Sequence, residues 1–137
     1  MQQSVTATTS ADSRELFDVP TKSSAAPYSS AVAFGDLVWT SGALPIRRDG
    51  TVPDDFSEQV RVALSNLFDA LQAGGADWST VLKISGFVDD IELLPALNEV
   101  YLDVIGPYGL PVRTTVEVSR FRGASKVEFD AVAHRRA

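Results

Sequence analysis

Arg113 stands in the alternating run Val112-Arg113-Thr114-Thr115-Val116-Glu117-Val118, and Glu128 and Asp130 alternate with Val127, Phe129 and Ala131 further on. A guanidinium offers two parallel N–H groups to a carboxylate, and a carboxylate can order or deprotonate a water. Together they could bind a small anion and act on it. The plain reading stands beside this one. An arginine on a polar strand face is often solvated or paired, here to Glu117 or Glu128, and a glutamate on an edge strand is often only solvated. Tyr28, which follows Pro27, either anchors a loop through its ring and hydroxyl or lines a cleft.

Other chemistries lack their residues. The sequence has no cysteine, which removes a thiolate nucleophile, a cysteine-based zinc site and a disulfide framework. The single histidine, His134, lies in a basic tail with Arg135 and Arg136 and reads as a surface residue. No Gly-x-Gly-x-x-Gly occurs, Gly106–Pro111 lacks the strand–turn–helix setting of a phosphate loop, and no clustered pattern suggests a metal. A net charge of −6 and a pI near 4.6 oppose a role in tracking phosphates, so nucleic acid is not an expected partner. No apolar stretch approaches the ~20 residues of a membrane helix. The run Met1–Ser13, rich in Ser, Thr and Gln, lacks the basic and apolar regions of a signal peptide, so a cytoplasmic protein is expected.

The positioning elements follow from periodicity. Residues 1–13 read as a flexible extension, and 14–137 as one domain, since 137 residues leave no room for a second. Glu15–Val19 is a candidate first strand, and Gly35-Asp36 separates Ala31–Phe34 from Leu37–Ser41 as a hairpin turn. Pro45–Pro53 is a polar loop. Phe56, Val60, Leu64, Leu67, Phe68 and Leu71 recur at helical spacing, with Asp55 and Glu58 as a capping box and Gly74-Gly75 as the stop. Val81–Val88 alternates, with Leu82, Ile84, Gly86 and Val88 on one side. A second helix starts near Pro95 and buries Leu97, Tyr101, Val104 and Ile105; Gly106–Pro111 is loop. Val112–Ser119 and Lys126–Ala133 complete the order ββ-α-β-α-ββ. Read as a hairpin, they place Arg113 and Glu128 on one polar face. Two helices on one side of the sheet leave its other face for another subunit.

Several stretches together resemble the Rid (YjgF) family: Ala26-Pro27-Tyr28-Ser29, Thr40-Ser41-Gly42, Asn98-Glu99-Val100-Tyr101, Pro111–Val118 and Val127–Ala133. The resemblance spans about Pro20 to Arg136. It implies an α+β, chorismate-mutase-like (YjgF) protomer, a mixed sheet covered on one face by two helices. Such protomers form homotrimers whose sheets face inward and whose clefts lie between subunits. The implied activity is hydrolysis of reactive enamines and imines, such as 2-aminoacrylate and 2-iminopropionate, to the 2-keto acid and ammonia, without metal or organic cofactor. Residue by residue, Arg113 matches the arginine that grips the substrate carboxylate, Tyr28 the cleft tyrosine and Glu128 the glutamate beside the attacking water. Ser41, Gly42 and Thr115 fall at substrate-contacting positions.

Three positions depart from the family's common pattern: Ala26 for glycine, Ala43 for glutamine and Thr115 for cysteine. They touch substrate range more than reaction, and leave open a dedicated deaminase for a bulkier enamine. A non-catalytic trimer that binds a small carboxylate is the alternative of another class. RNA cleavage, also attributed to some relatives, is opposed by the acidic charge.

Overall fold

The computed structural model describes residues 13–136; the expected extension over 1–13 therefore lies, apart from Ser13, outside the described residues. Six strands form one mixed sheet: β1 (Glu15–Phe17), β2 (Ala31–Phe34), β3 (Leu37–Thr40), β4 (Val81–Val88), β5 (Val112–Glu117) and β6 (Val127–His134). Their spatial order is β1-β2-β3-β6-β4-β5. The helices α1 (Phe56–Ala73) and α2 (Leu94–Ile105) pack on one face.

Local chemistry explains these elements. Gly35 takes φ 59° in the tight turn between β2 and β3, a region β-carbons disfavour. Asp55 accepts from Glu58 N at 2.9 Å and starts α1, which buries Val60, Ala63, Leu64, Leu67 and Leu71. Those side chains meet Ala31, Ala33 and Val38 from one arm of the sheet, and Ile84, Val88, Val127, Phe129, Ala131 and Ala133 from its centre. Buried Gln59 ties α1 to the crossing between β5 and β6. Its Nε2 donates to Pro53 O (2.8 Å) and Ala124 O (3.1 Å), and its Oε1 accepts from Lys126 N (2.8 Å).

The pairing corrects two expectations. β5 and β6 do not form a hairpin: β5 pairs in parallel with β4, and β4 separates it from β6. Parallel neighbours need a crossover, and α2 supplies it between β4 and β5. The other correction concerns Leu82, expected on the same side of β4 as Ile84. A register shift between Val81 and Lys83 turns it outward, exposed, while Val81 packs on the core.

The face away from the helices is apolar and open. One row across all six strands reads Leu16, Val32, Trp39, Val132, Lys83 and Val112, the aligned partners from β1 to β5. Trp39 is 41% exposed and Val112 is 66% exposed. Trp78, the other tryptophan, is buried against Phe68.

Candidate active site

Arg113 lies opposite Ile84, and Ile84 opposite Ala131, so its side chain leaves the sheet on the helix side. Glu128 lies opposite Phe87, and Phe87 opposite Val116, which places the carboxylate on the open side. The shared polar face expected for them is therefore absent within one chain. Alternation had grouped the residues of each strand correctly, but the intervening strand β4 brings the two groups out on opposite sides.

On the helix side, the Arg113 guanidinium stacks over the ring of Tyr101, 4.7 Å from its centroid. Tyr101 comes from the inward stripe of α2 and is buried, its ring packed near that of Phe129. Neither carboxylate considered as a partner reaches the arginine. Glu117 Oε1 accepts from Ile91 N at 2.9 Å, and among the described residues no ion pair involves Arg113. Thr115 follows on the same face beside Gly86, and its Oγ1 and the Tyr101 hydroxyl are buried without a hydrogen-bond partner among the described residues. Burial pushes the Tyr101 phenol above its ordinary value, with the nearby Arg113 charge acting against the shift.

On the open side, the chain after β3 builds a second cluster. Ser41 Oγ donates to Ser29 O at 2.6 Å and Ser41 N to Ser30 O at 3.0 Å, which pins the loop carrying Tyr28 to the end of β3. Ala43 then exchanges backbone hydrogen bonds with Phe129, at 2.6 and 3.1 Å. This zips Gly42 against Glu128. A β-carbon on Gly42 would fall 2.0 Å from Glu128 Oε2, so only glycine admits the carboxylate there. A cavity of 340 Å³ opens beside it, lined by Gly42, Phe87, Arg120 and Asp130 among others. A second, of 240 Å³, joins Tyr28, Ser41, Gly42 and Ala43 to aliphatic walls from Leu44 and Ile46. Tyr28 itself is exposed, with the Lys22 ammonium 5.9 Å from its ring centroid.

Burial, and then the neighbouring Asp130 charge, raise the Glu128 carboxyl above its ordinary value. Asp130 is raised too, by burial, although a Ser85 hydrogen bond and the Lys83 charge oppose it. A carboxyl placed so releases its proton less readily and is a better proton acceptor once ionised. Among the described residues, no group of three or more His, Cys, Asp or Glu is placed to hold a metal ion.

The structure thus places Arg113 and Thr115 on the helix side of the sheet and Glu128 on the open side, while Gly42 lines both the cavity beside Glu128 and the one with Tyr28 and Ser41, which also reaches Asn66 and Ala70 of α1. Sequence reasoning missed Tyr101 beneath Arg113 because it was absorbed into the apolar stripe of α2. A tyrosine at a fully inward helix position was the available signal, since its hydroxyl needs a partner.

The Arg113 guanidinium has no ion pair among the described residues, and the Glu128 carboxyl, raised by burial, lines the 340 Å³ cavity. The profile of the Endoribonuclease L-PSP family matches residues 20–135, and the chain belongs to this YjgF/Rid family. Protein mmf2, mitochondrial, of Schizosaccharomyces pombe is 33% identical over 110 residues, 78% of this chain and 86% of that protein. The 2-iminobutanoate/2-iminopropanoate deaminase of Escherichia coli is 32% identical over 113 residues, 80% of this chain and 88% of that one. The crystal structure of E. coli TdcF with bound serine superposes with a TM-score of 0.82 at 28% identity, covering 89% of this chain and 99% of that one.

Proposed function

We propose that the protein is a cofactor-independent hydrolytic deaminase of 2-imino and 2-enamino acids. The observation that carries this reading is the Arg113 guanidinium, stacked on Tyr101 with no carboxylate partner among the described residues. The deaminase name of the E. coli relative supports the same reaction class. In this reading Arg113 grips the substrate carboxylate through two charge-assisted hydrogen bonds. Glu128 takes a proton from a water whose oxygen bonds to the imine carbon. Glu128 returns that proton to the nitrogen, which gives a carbinolamine with the water's other proton on its hydroxyl; for the neutral imine that hydroxyl proton passes to the nitrogen as the C=O forms and the C–N bond breaks, and ammonia leaves the 2-keto acid. An enamine enters after protonation at its terminal carbon. Tyr28, Ser41, Gly42 and Thr115 line the substrate.

Because one chain holds Arg113 and Glu128 on opposite faces, the working site takes Arg113 and Thr115 from one protomer and the Tyr28–Glu128 cluster from its neighbour. The apolar open face is the surface such an assembly would cover, and a homotrimer with inward-facing sheets is the proposed form. The acidic composition supports a small-molecule substrate over nucleic acid. The cysteine-free composition suits the cytoplasm as its setting.

The test generates 2-aminoacrylate in situ with a dehydratase and follows keto-acid release. Wild type should accelerate it. Arg113→Ala should lower kcat/KM by roughly 100-fold or more, the loss of two charge-assisted hydrogen bonds of ~1.5–3 kcal/mol each. An inert wild type across several 2-imino acids, or an unimpaired Arg113→Ala, ends this reading. Tight keto-acid binding without turnover would instead favour a carboxylate-binding regulatory trimer.

A further inference from the structure

Arg113 can present a fixed edge only if something holds its side chain still. Its long side chain has no ion pair among the described residues, and its strand β5 is the last in the sheet. An arginine of this kind ordinarily samples many rotamers and loses that freedom on binding. The aromatic ring beneath it changes this. Tyr101 is 4% exposed and belongs to the buried stripe of α2 with Leu97, Val100 and Ile105. On its sheet side the ring meets Phe129, with centroids 6.5 Å apart and planes inclined by 38°. The guanidinium carbon sits 4.7 Å from the ring centroid, within the range of cation–aromatic attraction.

We propose that Tyr101 is a positioning residue: by stacking on the guanidinium of Arg113 it sets the plane in which that group presents its hydrogen-bonding edge to a carboxylate. The inference rests on Arg113 being the carboxylate-binding residue. Stacking occupies a face of the guanidinium and leaves the N–H edge free, the arrangement bidentate recognition needs. The platform belongs to the core, so its position is set by the packing of α2 rather than by the ligand. In the proposed site Glu128 comes from the neighbouring protomer and is not held by Tyr101, so loss of the platform should weaken binding and leave the base itself in place. A tyrosine that merely fills the core predicts otherwise: its replacement would cost stability and leave ligand affinity untouched.

The experiment compares Tyr101→Phe and Tyr101→Leu in the full chain, with melting curves to establish that each is folded. Calorimetry measures the Kd for 2-oxobutanoate, and turnover of in-situ 2-iminobutanoate measures kcat and KM. Tyr101→Leu should raise Kd and KM by roughly tenfold, a value within the range of cation–aromatic contacts, with kcat little changed. Tyr101→Phe should restore both, because it keeps the ring. If Tyr101→Leu does not fold, graded fluorination of a phenylalanine at position 101 weakens the ring's attraction for cations at nearly constant shape. Affinity should then fall with each added fluorine. A folded Tyr101→Leu that binds as tightly as wild type, a phenylalanine variant as weak as the leucine one, a loss confined to kcat, or an affinity indifferent to fluorination overturns the proposal. If these variants leave affinity unchanged while Arg113→Ala abolishes it, the positioning role alone falls. If wild type binds no 2-keto acid, the carboxylate-site reading falls and takes this inference with it.

Discussion

The two sides of the central sheet are built from opposite materials. On the helix side a permanent cation rests on a buried ring, with no ion-pair partner among the described residues. On the open side a carboxylate presses against a glycine backbone with a second acid nearby. The first arrangement suits holding an anion, because a guanidinium keeps its charge throughout the pH range of life. The second suits moving a proton, because burial and a like charge raise the carboxyl's proton affinity. Gripping and proton transfer therefore have separate supports in this fold, and damage to each should read out in a different kinetic constant.

The largest effect should come from Glu128→Gln, which keeps the shape and removes the base. Its kcat should fall by roughly 10²–10⁴, the usual worth of general acid–base catalysis, while 2-keto-acid affinity by calorimetry stays near wild type. An equal loss of affinity would break the division between the two sides. Gly42→Ala comes next. Its β-carbon would fall 2.0 Å from Glu128 Oε2, so the carboxylate must move. A displacement of this size should lower kcat by roughly 10–100-fold, with KM much less affected in steady-state assays. Unchanged turnover would mean that the carboxylate's placement against the backbone has no part in the chemistry.

The smallest effect sharpens the electrostatic side. Glu128 must be ionised to act as a base, so kcat/KM should fall as pH drops through its pKa. Asp130 is one cause of the upward shift, the Lys83 charge acts on Asp130, and Arg120 lines the same cavity as the acidic pair. Asp130→Asn should therefore move the acid limb of the pH–rate profile to lower pH, and an unmoved limb would remove Asp130 from the account. Stability carries the other sign. The folded-state pKa of Glu128 is raised, so its charged form is destabilising, and protonating it as pH falls through that pKa stabilises the fold.

Much of the fold was legible in the sequence, because α1, the turn at Gly35 and the alternation of β4 to β6 each rest on local signals. The site was legible only in pieces. Alternation said that Arg113 and Thr115 share a face, and that Glu128 and Asp130 share one. It carried no information about which strand lies between them, since pairing is decided by the crossover through α2 rather than by neighbours in sequence. β5 also inverts the usual expectation that a strand's valines point to the core. Val112 and Val116 face the open side, and Arg113 faces the helices with Tyr101 beneath it. That pattern makes sense only when a covered open face is included, and a single chain's periodicity does not contain it. Leu82 was misplaced for a smaller reason, a register shift that no residue type announces.

The Gln59 clamp has a consequence for Glu128. Lys126 N, which donates to Gln59 Oε1, lies two residues before the carboxylate, at the end of the chain's crossing from the sheet's edge to its centre. A connection of that kind would ordinarily bring its own conformational freedom to the first turn of the strand it feeds. Here α1 has removed that freedom in advance, so the carboxylate reaches its cleft preorganised. The entropy of fixing it is lost when the chain folds and is not lost again with each substrate molecule.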